Sequence, residues 1–183
     1  MPKVLVPLAE GCEELEAVTI IDILRRANIT VVTAGLDGKP VKASRGTVLV
    51  PDMDLDEALK TAYDMVVLPG GLPGADNLGN DARIVDLLGN MAGSGKWVCA
   101  ICAAPRVLAR AGLLDGRRAT GYPGIIDSGE FPNVQFTGAP VECDSNFVTG
   151  RGPGTAMDFA LTLIEKLLDR ATRDKVEQAL VRP

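Results

Sequence analysis

Short apolar runs rich in β-branched residues alternate along this chain with longer stretches whose apolar positions recur at helical spacing. Val4 to Leu8 opens the series as a strand, and Glu14 to Arg26 follows as a helix in which Leu15, Val18, Ile21 and Leu24 recur. Ile29 to Ala34 is the next strand, and Asp37-Gly38 leads into a hairpin of Val41 to Lys42 and Thr47 to Val50. A short helix is predicted from Asp54 to Lys60, then a strand from Met65 to Leu68 that stops at Pro69-Gly70-Gly71. That strand is apolar throughout, as a strand covered on both faces must be. A helix over Ala82 to Met91 and a strand over Lys96 to Ile101 repeat the unit. Beyond Cys102 the pattern predicts a helix from Pro105 to Ala111 and short strands near Ala119, Val134 to Phe136, Val141 to Cys143 and Phe147 to Val148. Helices close the chain: Pro153 suits a first helical turn, and Ala156 to Leu168 carries Phe159, Leu163 and Leu167 on one face. This order predicts an α/β fold with a mostly parallel sheet covered on both sides.

Composition narrows the picture. With 183 residues, 46% hydrophobic, and no internal repeat or linker, residues 1–183 read as one domain with a well-buried core. No apolar run approaches the roughly 18 to 20 residues that span a bilayer, and Met1 to Val6 enters a strand without a signal-peptide pattern, so a cytoplasmic protein away from membranes is expected. The formal charge is -5, with no basic cluster beyond Arg25-Arg26 and Arg117-Arg118, which argues against nucleic acid and for small-molecule or protein partners. Most restrictive is the complete lack of histidine. Ser-His-Asp triads, Cys-His proteases within one chain, and histidine-dependent zinc sites are excluded, and proton transfer falls to carboxylates, Cys, Lys, Tyr or water. No metal or cofactor is expected.

The four cysteines, Cys12, Cys99, Cys102 and Cys143, read as free thiols, because a domain of this size without a secretory signal does not need disulfides. Cys99 and Cys102 have redox-motif spacing, but Cys99 sits within a strand. Three strand residues advance roughly 10 Å, beyond the reach of a disulfide.

Ligands of such sheets gather beyond the carboxyl ends of the strands, which singles out Glu10 to Glu16, Pro69 to Gly74 and Cys102 to Pro105. Cys102 lies between a buried strand and a helix, with Ala100 and Ala104 two positions to either side, a small-x-nucleophile-x-small pattern that permits a tight turn. A helix start would depress its pKa and make it reactive. A buried structural thiol is the competing reading. Gly70-Gly71 lets backbone N–H groups approach and form an oxyanion pocket, or is an ordinary turn. Glu13, Glu14 and Glu16 complement the dipole at a helix start. In a chain without histidine, one of them turned toward Cys102 would be the natural proton carrier. Gly150-Arg151-Gly152-Pro153-Gly154-Thr155 only superficially resembles a dinucleotide fingerprint and reads as a close-packed loop entering the last helices.

Taken in order, Leu8 to Glu16, Arg25-Arg26-Ala27, Ser44-Arg45, Val67 to Gly71, Ala100 to Pro105 and Arg151 to Thr155 resemble the DJ-1/PfpI superfamily, in its branch of small dimeric proteins, over nearly the whole chain. The resemblance implies a flavodoxin-like three-layer sandwich and a homodimer. It also implies an oxidisable nucleophile at Cys102, partnered by a protonated Glu16, with backbone groups of Gly70, Gly71 and Ala103 nearby and Arg45 adding positive field. Two departures matter. Protease and amidotransferase branches carry histidine directly after the cysteine, where this chain has Ala103, so peptide hydrolysis is not expected. Some members of the nearer branch have histidine at the position of Tyr122, which can donate a hydrogen bond but cannot act as a base near neutral pH.

Two functions follow from the resemblance. One is a glutathione-independent glyoxalase acting on methylglyoxal or glyoxal, with deglycase-like action on glycated groups. The other is a non-enzymatic oxidative-stress sensor or redox-regulated holding chaperone, in which Cys102 oxidises without turnover.

Overall fold

Uninterrupted apolar runs form the centre of the sheet, and amphipathic stretches return across it. The computed structural model describes residues 1–182. In chain order the elements are β1 (Lys3–Leu8), α1 (Glu14–Arg26), β2 (Thr30–Gly35), β3 (Val41–Lys42), β4 (Val48–Leu49), β5 (Met53–Asp54), α2 (Leu55–Ala58) and β6 (Met65–Leu68). These are followed by α3 (Gly74–Asn80), α4 (Ala82–Gly93), β7 (Trp97–Ile101), α5 (Pro105–Arg110), β8 (Arg118–Ala119), β9 (Gln135–Phe136), β10 (Val141–Asp144) and β11 (Phe147–Gly150). A single 3-10 turn, Pro153–Thr155, leads into α6 (Ala156–Leu167), and α7 (Arg170–Ala179) closes the described chain.

Seven strands form the main sheet in the order β10-β11-β7-β6-β1-β2-β5. Its pairings are parallel except β10 with β11, and between β1 and β2 Lys3 lies opposite Thr30 and Leu8 opposite Gly35. Every residue of β6 has zero exposure, as its apolar sequence requires. Helices α1, α6 and α7 pack together, and α3 packs on α4 and α5. The result is the mostly parallel, helix-flanked sheet expected of the sequence. Among the described residues no helix is long and apolar enough to cross a membrane.

Three local readings change. On α1, Leu24 is buried, but Leu15 and Val18 are about half exposed; the inward face is Glu16, Ala17, Ile20, Ile23 and Leu24. Periodicity fixes a helix, but burial of Ala17, Ile20, Ile23 and Leu24 sets its inward face and carries Glu16 with it. The helix α3 is not foreshadowed, because Gly-Ala-Asp-Asn-Leu-Gly-Asn contains mostly weak helix formers. Packing holds it: a Cβ on Gly74 would collide with the main chain of Gly11 and Cys12. The two-residue β5 is too short to leave a periodic signal.

Candidate active site

The strand order turns back at β1, so the carboxyl ends of β1 and β6 bound a crevice, with the end of β7 beside it. Main-chain hydrogen bonds join the loops after β1 and β6 to each other and tie the turn after β7 to the end of β11. Glu13 N–H donates to Gly70 O at 2.9 Å, and Cys102 N–H donates to Gly150 O at 2.9 Å. Cys102 itself has φ +63°, left-handed geometry that a non-glycine residue adopts only under constraint. This is the strained strand-to-helix turn anticipated from its small neighbours. The residue is 8% exposed.

Glu16 enters from the first turn of α1 and has zero exposure. Its Oε2 accepts the Gly70 N–H at 2.8 Å. The Cys102 thiol is within reach of the carboxyl, yet no aligned hydrogen bond engages Oε1. Among the described residues, Oε1 is the one buried side-chain oxygen or nitrogen without a partner. An unpaired buried oxygen costs free energy and marks a place for a donor or a reacting atom. Only glycine fits between the two side chains: a Cβ at position 70 would stand 2.6 Å from Cys102 Cβ and 2.7 Å from Glu16 Oε2.

Burial raises the Glu16 carboxyl from 4.5 to about 7, against the pull of the Gly70 N–H. Burial, and after it the charge of Glu16, pushes the Cys102 thiol up to about 12, while the N–H groups of Gly71 and Ala103 draw it down. The expectation of a simply depressed thiol pKa is therefore not met, because this cysteine shares a dry pocket with a carboxyl. Loss of the first proton near pH 7 leaves one proton between carboxyl and sulfur. That proton rests mainly on sulfur; its transfer to Glu16 gives the nucleophilic form, a Cys102 thiolate facing two backbone donors and a neutral acid.

Of the other residues singled out by sequence, Gly70, Gly71 and Ala103 belong to this cluster, but with divided duties. Gly70 N–H is occupied by Glu16, so it is not a free oxyanion donor; those of Gly71 and Ala103 point at sulfur. Tyr122 touches the site through its main chain, donating N–H to Cys102 O at 2.8 Å, while its side chain is 53% exposed. Arg45 is exposed, and its backbone N–H donates to Glu14 Oε1 at 3.0 Å.

That contact corrects the plain helix-start account of the neighbouring acids. Glu14 also accepts from Thr47 N–H, and Ser44 Oγ lies 2.9 Å from Glu13 Oε2 and 3.1 Å from Glu14 Oε2. Together with Ser44 N–H to Cys12 O and Gly11 N–H to Lys42 O, these bonds fasten the β3–β4 hairpin to the start of α1 and so help to set Glu16. Ser44 and Gly150 stand within motifs already named, but their parts here, as donor to the acids and acceptor for Cys102, rest on long-range contacts that neither spacing nor residue type announces. Cys12, Cys99, Cys102 and Cys143 are all free.

With this geometry established, the comparisons with known proteins are specific. The DJ-1/PfpI family matches residues 2–166. The zebrafish (Danio rerio) Parkinson disease protein 7 homolog is 40% identical over 98% of this chain and 96% of its own length. Glutathione-independent glyoxalase DJR-1.2 of Caenorhabditis elegans is 34% identical over 86% of this chain and 84% of its own. Arabidopsis thaliana DJ-1 homolog B is 44% identical over 92% of this chain, which spans only 39% of that longer relative. The structure of oxidized DJ-1 from Toxoplasma gondii superposes with a TM-score of 0.94 at 38% identity, covering 99% of this chain and 98% of the other. An elbow cysteine against a buried glutamate, on a flavodoxin-like sheet matched from end to end, makes this chain a member of the DJ-1/PfpI family.

Proposed function

We propose that this protein converts 2-oxoaldehydes such as methylglyoxal and glyoxal to 2-hydroxy acids without glutathione, with Cys102 as nucleophile and Glu16 as proton carrier. The observation that carries this reading is the buried, unpaired Glu16 Oε1 beside an elbow cysteine. The thiolate adds to the aldehyde carbon, forming a C–S bond, while the carbonyl oxygen takes the Glu16 proton to give a hemithioacetal. Glu16, now ionised, removes the proton from that carbon and returns one to the neighbouring carbon through an enediol. The product is a thioester of lactate, or of glycolate from glyoxal. Water hydrolyses it and restores the thiol. The name of the nematode relative supports the same chemistry, and glycated amines or thiols are candidate substrates by the same first step.

The test is lactate formation from methylglyoxal by reduced protein without glutathione, run beside Cys102→Ser and Glu16→Gln. Each variant is expected to lose about a hundredfold or more in turnover. Equal rates in all three proteins would overturn the assignment.

A second reading is favoured by the oxidized state of the Toxoplasma relative: Cys102 as a peroxide sensor or the trigger of a holding chaperone. Graded peroxide followed by peptide mass analysis separates it from chance oxidation. Sulfinate confined to Cys102 supports the sensor; oxidation spread over all four cysteines counts against it. A cytoplasmic setting, where thiols stay reduced, suits either reading. A homodimer would cover the exposed Leu15 and Val18 of α1 together with Val48 and Val50 of the hairpin fastened beside it. Sedimentation velocity tests that state directly.

A further inference from the structure

Outside the buried cluster, a groove of about 250 Å³ runs between Tyr122-Pro123 and the Arg151-Gly152-Pro153 segment. Its two walls are continuous with the main chain that holds the reactive turn: Tyr122 donates to Cys102 O, and Gly150, one residue before Arg151, accepts from Cys102 N–H. The groove therefore begins at the nucleophile's own hydrogen-bonded neighbours. Among the described residues lining it, Arg151 is the one with a charged side chain. Its guanidinium pairs with no carboxylate there; Nη1 donates only to Gly138 O, at 3.3 Å. Thr155 is closed off in a local bond with Gly152, leaving the half-exposed Tyr122 side chain as the other polar wall. Gly152 leaves its wall open toward the Tyr122 ring, where an added Cβ would make ordinary van der Waals contact at 3.5 Å.

We infer that this groove receives the far end of the substrate and selects aldehydes that carry a carboxylate, held by Arg151, over neutral aldehydes of the same length. The inference rests on the proposed addition of aldehydes to Cys102. It names the substrate class that the small, uncharged 2-oxoaldehydes do not reveal, because they carry no carboxylate for Arg151 to hold. A free guanidinium recognises a carboxylate through charge-assisted hydrogen bonds, and a matched neutral chain offers it nothing. The covalent step is unchanged: the Cys102 thiolate forms a C–S bond to the aldehyde carbon, and the carbonyl oxygen takes the Glu16 proton. No oxidant or reductant is consumed.

The probes are 4-oxobutanoate and butanal, which share a four-carbon chain and differ in ending as carboxylate or methyl. Each is titrated as a reversible protectant of Cys102 against iodoacetamide, with alkylation read on the Cys102 peptide and methylglyoxal as reference. At low salt, 4-oxobutanoate is expected to half-protect at about fivefold to tenfold lower concentration than butanal. Arg151→Met should equalise the two without altering protection by methylglyoxal, and Arg151→Lys should restore part of the preference. About 0.5 M salt should narrow the preference in the unmodified protein, a readout independent of any variant's folding. Equal protection by the two probes in the unmodified protein, or an unchanged preference in Arg151→Met, overturns the inference while leaving aldehyde addition intact. If methylglyoxal itself fails to protect Cys102, the proposed function falls and this selection falls with it.

Discussion

The buried cluster and the rim around it are built on opposite terms. In the cluster, Glu16, Gly70, Gly71, Cys102 and Ala103 meet through backbone hydrogen bonds and contacts too close for a single added carbon. At the rim, Arg45 is exposed and Tyr122 is half exposed, and each is tied down by its main chain rather than its side chain. The difference teaches where precision resides. Moving a proton between sulfur, carbon and carboxyl demands fixed positions, whereas selecting a substrate's far end tolerates a mobile side chain in water.

The most direct way to break this contrast is Gly70→Ala. The added methyl must displace Cys102 or Glu16, and turnover is expected to fall about a hundredfold or more, with about 1–3 kcal/mol of stability lost to overpacking. Methylglyoxal turnover and thermal melting measure the two effects, and full activity in the Gly70→Ala variant would mean that the pocket is looser than its contacts imply.

Next in size is the pH dependence of stability. Burial raises the Glu16 carboxyl in the folded state from 4.5 to about 7, so the folded chain holds that proton more tightly than the unfolded one. The associated stability is present below about pH 4.5 and is lost as pH rises through 7; a shift of this size corresponds to roughly 3 kcal/mol. Glu16→Gln is exempt from that loss. Urea unfolding should show its advantage over the unmodified protein opening between about pH 5 and pH 8, even as its turnover disappears. A constant difference across that range would place the carboxyl in water.

Glu14→Gln should cost less, about 1–2 kcal/mol, because it weakens the acceptor that holds Arg45 and Thr47. Hydrogen exchange at those two amides should accelerate, with turnover changed only severalfold through the looser start of α1. Smallest of all are Arg45→Ala and Tyr122→Phe, expected to leave methylglyoxal turnover within about threefold. A large loss in either would bring the rim into the chemistry and erase the distinction between the two regions.

Much of this division is visible in the chain before folding. The apolar runs at β1, β6 and β7 disclose the sheet, and the alanines around Cys102 disclose its sharp turn, because period and residue size are local properties. Less visible is which carboxyl faces inward. Glu13, Glu14 and Glu16 share one charged helix start, and their separate tasks depend on Gly70 and on the hairpin, dozens of residues away in sequence. The same is true of α3, whose weak helix formers are overruled by its fit against Cys12, and of Leu15 and Val18, which periodicity alone cannot turn toward water. Nor does the Gly70-Gly71 pair announce that one of its amides is already taken.

That occupied amide has a spectroscopic consequence. Gly70 N–H bonds directly to Glu16 Oε2 while the same residue's carbonyl is held by Glu13, so the peptide planes on both sides of Gly70 are anchored when the carboxyl gains or loses a proton. Its amide resonance should therefore follow the charge of a side chain that no solvent-borne probe can reach, turning a structural spacer into a fixed internal indicator for titrating the pair.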